Sequence, residues 1–283
     1  MEHLDWIQEV TQTVPVFLER MHSNRVPGFY RYSWSGDLVG EDEHWGLGNT
    51  VFAVKSLYTL GLLERLPAYE RSVLANFLKS FAHHDGTFRD PLVARLAFWR
   101  EKLAAIKNRD LNNFFHAQTV RAQTRQTLSA LSLLGECGFV YPVSLPRTPD
   151  EVVRYLSHLD WSRPWGAGSH FSHLLFFLSQ CDVENSDALV NAATEWIASK
   201  HRDDGAWYDG APSLQQKING AMKILTGLQA ANRLEFDRAQ NLVDLALNAR
   251  NDNHACDNFN VIYVLAKASG ELAHTYRHEE IVR

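Results

Sequence analysis

Cysteine is scarce: Cys137, Cys181 and Cys256 are the only three in 283 residues, and no two form a Cys-x-x-Cys pair. That argues against a disulfide framework or a structural zinc site and fits a reducing compartment. Long apolar runs are also missing. Stretches such as Leu174 to Leu178 are far too short to span a bilayer, so no membrane span is expected. The first ten residues, MEHLDWIQEV, are acidic and lack the basic and apolar regions of a secretory signal. A cytoplasmic protein is therefore the expectation. Charge of one sign is modest, with a formal net charge of -5, which speaks against a general nucleic-acid binder or a ligand for anionic membranes. Strand patterning is nearly absent. Only Phe29 to Trp34 alternates apolar and polar residues, and it is too short and isolated to seed a sheet.

Helical patterning fills the rest. The chain is 45% hydrophobic and 22% charged, enough for a large core. Periodicity and breakers mark about eleven helical segments, near 4–22, 48–64, 68–82, 91–107, 117–136, 149–159, 168–181, 186–200, 213–232, 235–250 and 256–270. Ser186 is placed as a helix N-cap, and Pro149-Asp150 opens the segment EVVRYL. No Pro-, Gly- or Ser-rich linker divides the chain, which reads as a single domain over residues 1–283.

The segments repeat. A helix leads into a short Asp-Gly-aromatic loop and then into a more apolar helix. The loop occurs as His84-Asp85-Gly86-Thr87-Phe88 and as Asp204-Gly205-Ala206-Trp207, with weaker copies at Pro164-Trp165-Gly166-Ala167-Gly168 and His44-Trp45-Gly46-Leu47-Gly48. Glycine permits the tight turn, and the aromatic ring is expected to plug the gap between neighbouring hairpins. The helices that follow align at Asn49, Gln123, His170, Lys217 and Asp257, the last four nearly evenly spaced. The first interval is widened by an extra helix, near 91–107. A period of roughly 40–47 residues is that of stacked helical hairpins.

These features resemble the α/α-toroid superfamily of terpenoid cyclases and protein prenyltransferases, whose repeats carry a DGxW-type loop between an outer and an inner helix. The resemblance implies an all-α fold, a single α/α toroid of about five to six hairpins. It also implies a central cavity that takes an isoprenoid or diphosphate-bearing substrate. The motifs by which those families act do not occur: there is no DxDD, no DDxxD, and Cys256-Asp257 has the wrong order for the prenyltransferase zinc site.

Closure of such a repeat would bring the inner-helix starts to one mouth. Asp257, His170 and Lys217 are the catalytic candidates, since they offer an acid or base, an imidazole and an ammonium in one aligned column. Asn49, Gln123, Arg125, His173, Asn219, Lys223 and Asn260 are the binding candidates, at the helix starts or about a turn further in, with Lys223 six residues beyond Lys217. His170, His173, His254 and Asp257 could ligate a metal, but histidines so placed are more often structural, and neither metal nor cofactor is expected. Phe52, Phe171, Phe176, Phe177 and Tyr263 would line an aromatic cavity able to shield a carbocation. Two other readings stand beside this one: a glycan-active hydrolase or lyase that grips an oligosaccharide, and a scaffold whose centre is filled by side chains. The expected partner is a small molecule or oligosaccharide, and the sequence does not specify an oligomeric state.

Overall fold

The computed structural model describes residues 5–107, 118–249, 255–272 and 276–282. Helices occupy well over half of them: α1 (Asp5–Met21), α2 (Leu47–Thr59), α3 (Ala68–Lys79), α4 (Pro91–Lys107), α5 (Gln118–Leu133), α6 (Pro149–Ser157), α7 (Pro164–Gln180), α8 (Ser186–Ala198), α9 (Leu214–Ala230), α10 (Ala239–Leu247), α11 (Ala255–Gly270) and α12 (His278–Val282). Each of the eleven expected segments overlaps one, although α7 begins four residues before its segment, and of these helices only the short α12 lies outside them. Extended structure among the described residues is limited to two-residue stretches and isolated bridges. No described helix is long and apolar enough to cross a membrane.

Local chemistry explains the boundaries. Thr148 and Glu151 form a capping box ahead of α6, with Pro149 at its first position, where the missing N–H costs nothing. Ser213 caps α9 through Gln216. Ser186 is not a cap. It is the first residue of α8, and Asn185 precedes it in the left-handed conformation without a side-chain cap.

The chain forms two compact units, residues 1–144 and 145–283. In the first, α2 packs along α5, and α3 packs against both. Its core includes Phe29, Trp45 and Leu92, with Phe77 against them. In the second, α7, α9 and α11 lie side by side in chain order, while α6 packs on α8 and α10 on α11. In unit 2 the second helices of successive hairpins thus form one layer, and the first helices pack against it. The α7–α9 contact is the most extensive. Glycine makes it close: a Cβ on Gly220 would stand 2.6 Å from Pro164 Cβ.

Among the described residues the repeat loop occurs three times. After α3, a bridge pairs Ala82 with Phe88, His83 N donates to Thr87 O at 2.8 Å and Arg89 N to Phe81 O at 3.1 Å. After α8, the bridge is His201 with Trp207, Arg202 N donates to Ala206 O at 2.8 Å and Tyr208 N to Lys200 O at 3.1 Å. After α1, the bridge is His22 with Tyr30, Ser23 N donates to Phe29 O at 2.9 Å and Arg31 N to Met21 O at 2.8 Å. The shared glycines Gly28, Gly86 and Gly205 have φ of 81°, 78° and 81°. Each also lies where a following segment leaves no room for a Cβ. The atom would come within 2.7 Å of Phe77 Cβ, 2.8 Å of Val140 O and 2.6 Å of Leu242 N respectively. The glycine thus serves both the turn and the packing of the next part of the chain.

The Pro164 to Gly168 copy is not such a loop. Those residues are the first turn of α7, because proline at the first helical position favours helix entry, and Trp165 is exposed. The aromatic plug there is Trp161, three residues before the helix, 5.3 Å from Trp196. The His44 to Gly48 copy is a helix entry: Gly46, at φ 91°, precedes α2, and Trp45 is buried.

Candidate functional site

In unit 2 the loop between α8 and α9 delivers Asp204 and Tyr208 to the first turn of α9. Asp204 Oδ1 accepts Ala206 N at 3.1 Å, which closes the turn. Its Oδ2 accepts Lys217 Nζ and the Tyr208 hydroxyl, both at 2.8 Å, and Lys217 Nζ lies 4.5 Å from the Tyr208 ring centroid. Burial pushes the Asp204 pKa up, but the bonds from Lys217, Tyr208 and Ala206 outweigh it and hold the carboxyl below its ordinary value. Burial likewise opposes the charge on Lys217, yet Asp204 and Tyr208 hold its pKa above the usual lysine value.

A second polar chain joins the entries of α9 and α11. Asn219 Nδ2 donates to Asp257 Oδ1 at 2.9 Å, while Asn219 Oδ1 accepts Asn260 Nδ2 and Gln215 Nε2, each at 2.8 Å. Asn219 and Asn260 are buried and Asp257 is half-buried. The structure therefore unites three of the expected residues, Asn219, Asp257 and Asn260. It gives Lys217 different partners from theirs.

The remaining candidates are dispersed. His170 is buried and turned toward α6, where its Nδ1 lies 2.6 Å from the Tyr155 hydroxyl. His173 is buried, 6.4 Å from the Phe177 ring. Lys223 is half-buried, and its Cβ packs against Gly168. Asn49 donates to Tyr30 O at 3.1 Å and so secures the first repeat loop. Gln123 is half-buried with an Oε1 that has no hydrogen-bond partner. His44 stacks on Phe81 and meets Ser80 Oγ at 3.0 Å, a packing role. His254 lies outside the described residues. No group of three potential metal ligands occurs among the described residues.

The aromatic set divides as well. Phe171 and Phe177 are core, Phe176 and Tyr263 are half-buried, and Phe52 is 65% exposed. A ring inside a packed helix pair cannot line a cavity, so Phe171 and Phe177 drop out.

Unit 1 holds a cationic group that the motif reading missed. Lys55 of α2 donates from Nζ to Gln126 Oε1 of α5. Burial, and after it the charge of Arg125, push the Lys55 pKa down to about 8. A signal was available. Lys55 follows Asn49 by the same six residues that separate Lys223 from Lys217, so the two lysines occupy one column of the repeat. Unit 2 also has a cleft of about 440 Å³ between the ends of α8 and α9 and the segment 232–237, walled by Trp207 and Phe236 and rimmed by Arg233, Glu235 and Asp237.

Comparison of the chain with protein-family models, with curated proteins and with solved structures finds no match.

Proposed function

We propose that this chain is a helical-hairpin protein of the α/α-toroid type that binds an amphipathic ligand with an anionic head, such as a prenyl diphosphate, on its inner helices. The observation that carries the binding reading is the arrangement on α2 and α5. Lys55 lies beside Arg125 and Gln126, and Phe52, three residues earlier on the same helix face, is 65% exposed. Two cations close together in a half-buried place favour an anion. An exposed ring one turn away offers an apolar surface to a hydrocarbon chain. The layering in unit 2 and the thrice-repeated loop support the toroid part of the reading.

Calorimetric titration with a prenyl diphosphate tests it. Wild-type protein should bind, and Lys55→Gln should weaken binding by at least roughly tenfold, as loss of a charge-assisted hydrogen bond would. Equal affinity of wild type and Lys55→Gln would refute the site. Binding of an acidic oligosaccharide alone would move the assignment to the glycan-active reading, for which the cleft between α8 and α9 is the place to look. Binding of neither would leave the scaffold reading.

A further inference from the structure

The cleft in unit 2 has an apolar interior and a charged rim. Its volume of about 440 Å³ lies in the range of pockets that take small organic molecules. Ile197 of α8 and Leu228 of α9, both buried, supply aliphatic surface. Trp207 and Phe236 form an edge-to-face ring pair with centroids 5.6 Å apart. Trp207 is buried and Phe236 half-buried, so Phe236 offers the larger ring surface to a ligand. Asn232, just past α9, takes the left-handed conformation at a φ of 53° and begins the segment that carries Phe236 to the cleft.

His201 also lines the cleft, stacked on Trp207 with ring centroids 4.4 Å apart. Its Nε2 lies 3.2 Å from Gly205 O, which can only accept, so Nε2 carries the proton. Burial, and after it the charge of Arg238, hold the imidazole pKa below its ordinary value against the pull of Gly205 O, Asp237 and Asp204. The ring is therefore neutral at neutral pH, and its Nδ1 is an acceptor. Nδ1 has no hydrogen-bond partner among the described residues and is not sealed from solvent.

Charge at the rim is unevenly satisfied. Arg233 has Asp187 at 3.9 Å and Asn232 O at 3.4 Å. Arg238, next to the rim, has Asp203 at 3.4 Å and His201 O at 3.1 Å. Glu235 and Asp237 have no hydrogen bond or ion pair with any described residue. The charged groups left open here are thus both acids. We propose that this cleft binds a primary ammonium group carried on an apolar body, such as an aryl-alkyl amine. The ammonium donates to the Asp237 carboxylate and to His201 Nδ1, and the body lies against Phe236, Ile197 and Leu228. A cation beside these rings gains from their negative faces, and the body gains from leaving water. An anion of the same shape would meet two uncompensated carboxylates. A quaternary ammonium keeps the charge but has no N–H to give Nδ1. The cleft shares no residue with the site at Lys55, so the two proposals stand or fall separately.

Calorimetric titration of the full chain at neutral pH tests this with three probes of one shape: phenethylamine, its trimethylammonium derivative and hydrocinnamate. Wild type should bind phenethylamine. It should bind the trimethyl compound at least about tenfold more weakly, as loss of a charge-assisted hydrogen bond would dictate, and hydrocinnamate not at all. Asp237→Asn should weaken phenethylamine by a similar factor. Asp237 is exposed, so circular dichroism should show that variant folded. Absence of phenethylamine binding by wild type overturns the proposal. So does equal affinity for hydrocinnamate or for the trimethyl compound, and so does an Asp237→Asn variant that binds phenethylamine as wild type does.

Discussion

Asp204 Oδ2 and Lys217 Nζ stand 2.8 Å apart, and the same carboxylate closes the repeat turn through Oδ1. Lys217 therefore anchors the repeat loop to α9. Lys217→Ala leaves a half-buried carboxylate with one partner fewer and should cost about 1–2 kcal/mol, reduced from a fully buried pair by solvent screening. Denaturant unfolding of Lys217→Ala, Asp204→Asn and the double variant measures the coupling. Because the Asp204 pKa is held low in the fold, its share of stability is complete at neutral pH and is lost as the pH falls through the carboxylate range. In wild type the acid-side loss should be steeper than in Asp204→Asn.

Asp90 should prove more important to stability than any candidate site residue. Its Oδ2 accepts Gly46 N at 2.8 Å and Leu47 N at 3.0 Å, and its Oδ1 accepts Leu92 N at 3.0 Å and Val93 N at 3.3 Å. One buried carboxylate thus caps both α2 and α4. Asp90→Ala removes both caps and should cost roughly 2–4 kcal/mol, about twice a single N-cap. Asp90→Asn should cost less, since its remaining carbonyl oxygen can still cap one helix. Thermal unfolding of both variants checks the order.

Gly205→Ala should destabilise by roughly 1–3 kcal/mol, from a positive φ together with a clash with α10. Gly61→Ala is the control. Gly61 has a φ of 66° but no neighbour within 4 Å of the added atom, so it should show the conformational part alone. Urea midpoints of the two variants separate turn strain from packing.

If Lys55 holds an anionic head, affinity should depend on pH in a defined direction. Its pKa is lowered to about 8, so the ammonium is present below that value and is lost as the pH rises through it. Binding of the diphosphate should weaken above pH about 8, while Lys55→Gln should show a flatter profile over the same span. Titrations on both sides of that value supply the measurement.

Treatment with a chelator should leave the melting temperature unchanged, since neither the sequence nor the described residues offer a structural metal site. A large fall would redirect attention to His170, His173 and Asp257.

The sequence by itself determined the helices. Period, caps and breakers act within a few residues, which is why α6 and α9 begin where Pro149 and Ser213 place them. It also determined two copies of the loop, since Asp and Gly act on their own turn. The third copy stayed hidden because Pro27 stands where the others have Asp and because its turn is two residues longer. It shows in the bridge between His22 and Tyr30, the backbone bonds around it and the positive φ of Gly28. What tertiary structure decided is the direction of each side chain about its helix. An aligned column says that His170, Lys217 and Asp257 sit at similar levels, but rotation about the helix axis sends His170 to Tyr155, Lys217 to Asp204 and Asp257 to Asn219. Each of those partners is at least thirteen residues away in the chain, so no local pattern encodes the choice. It is made when apolar faces pack and the polar groups at their rims must find partners or lose hydration without compensation.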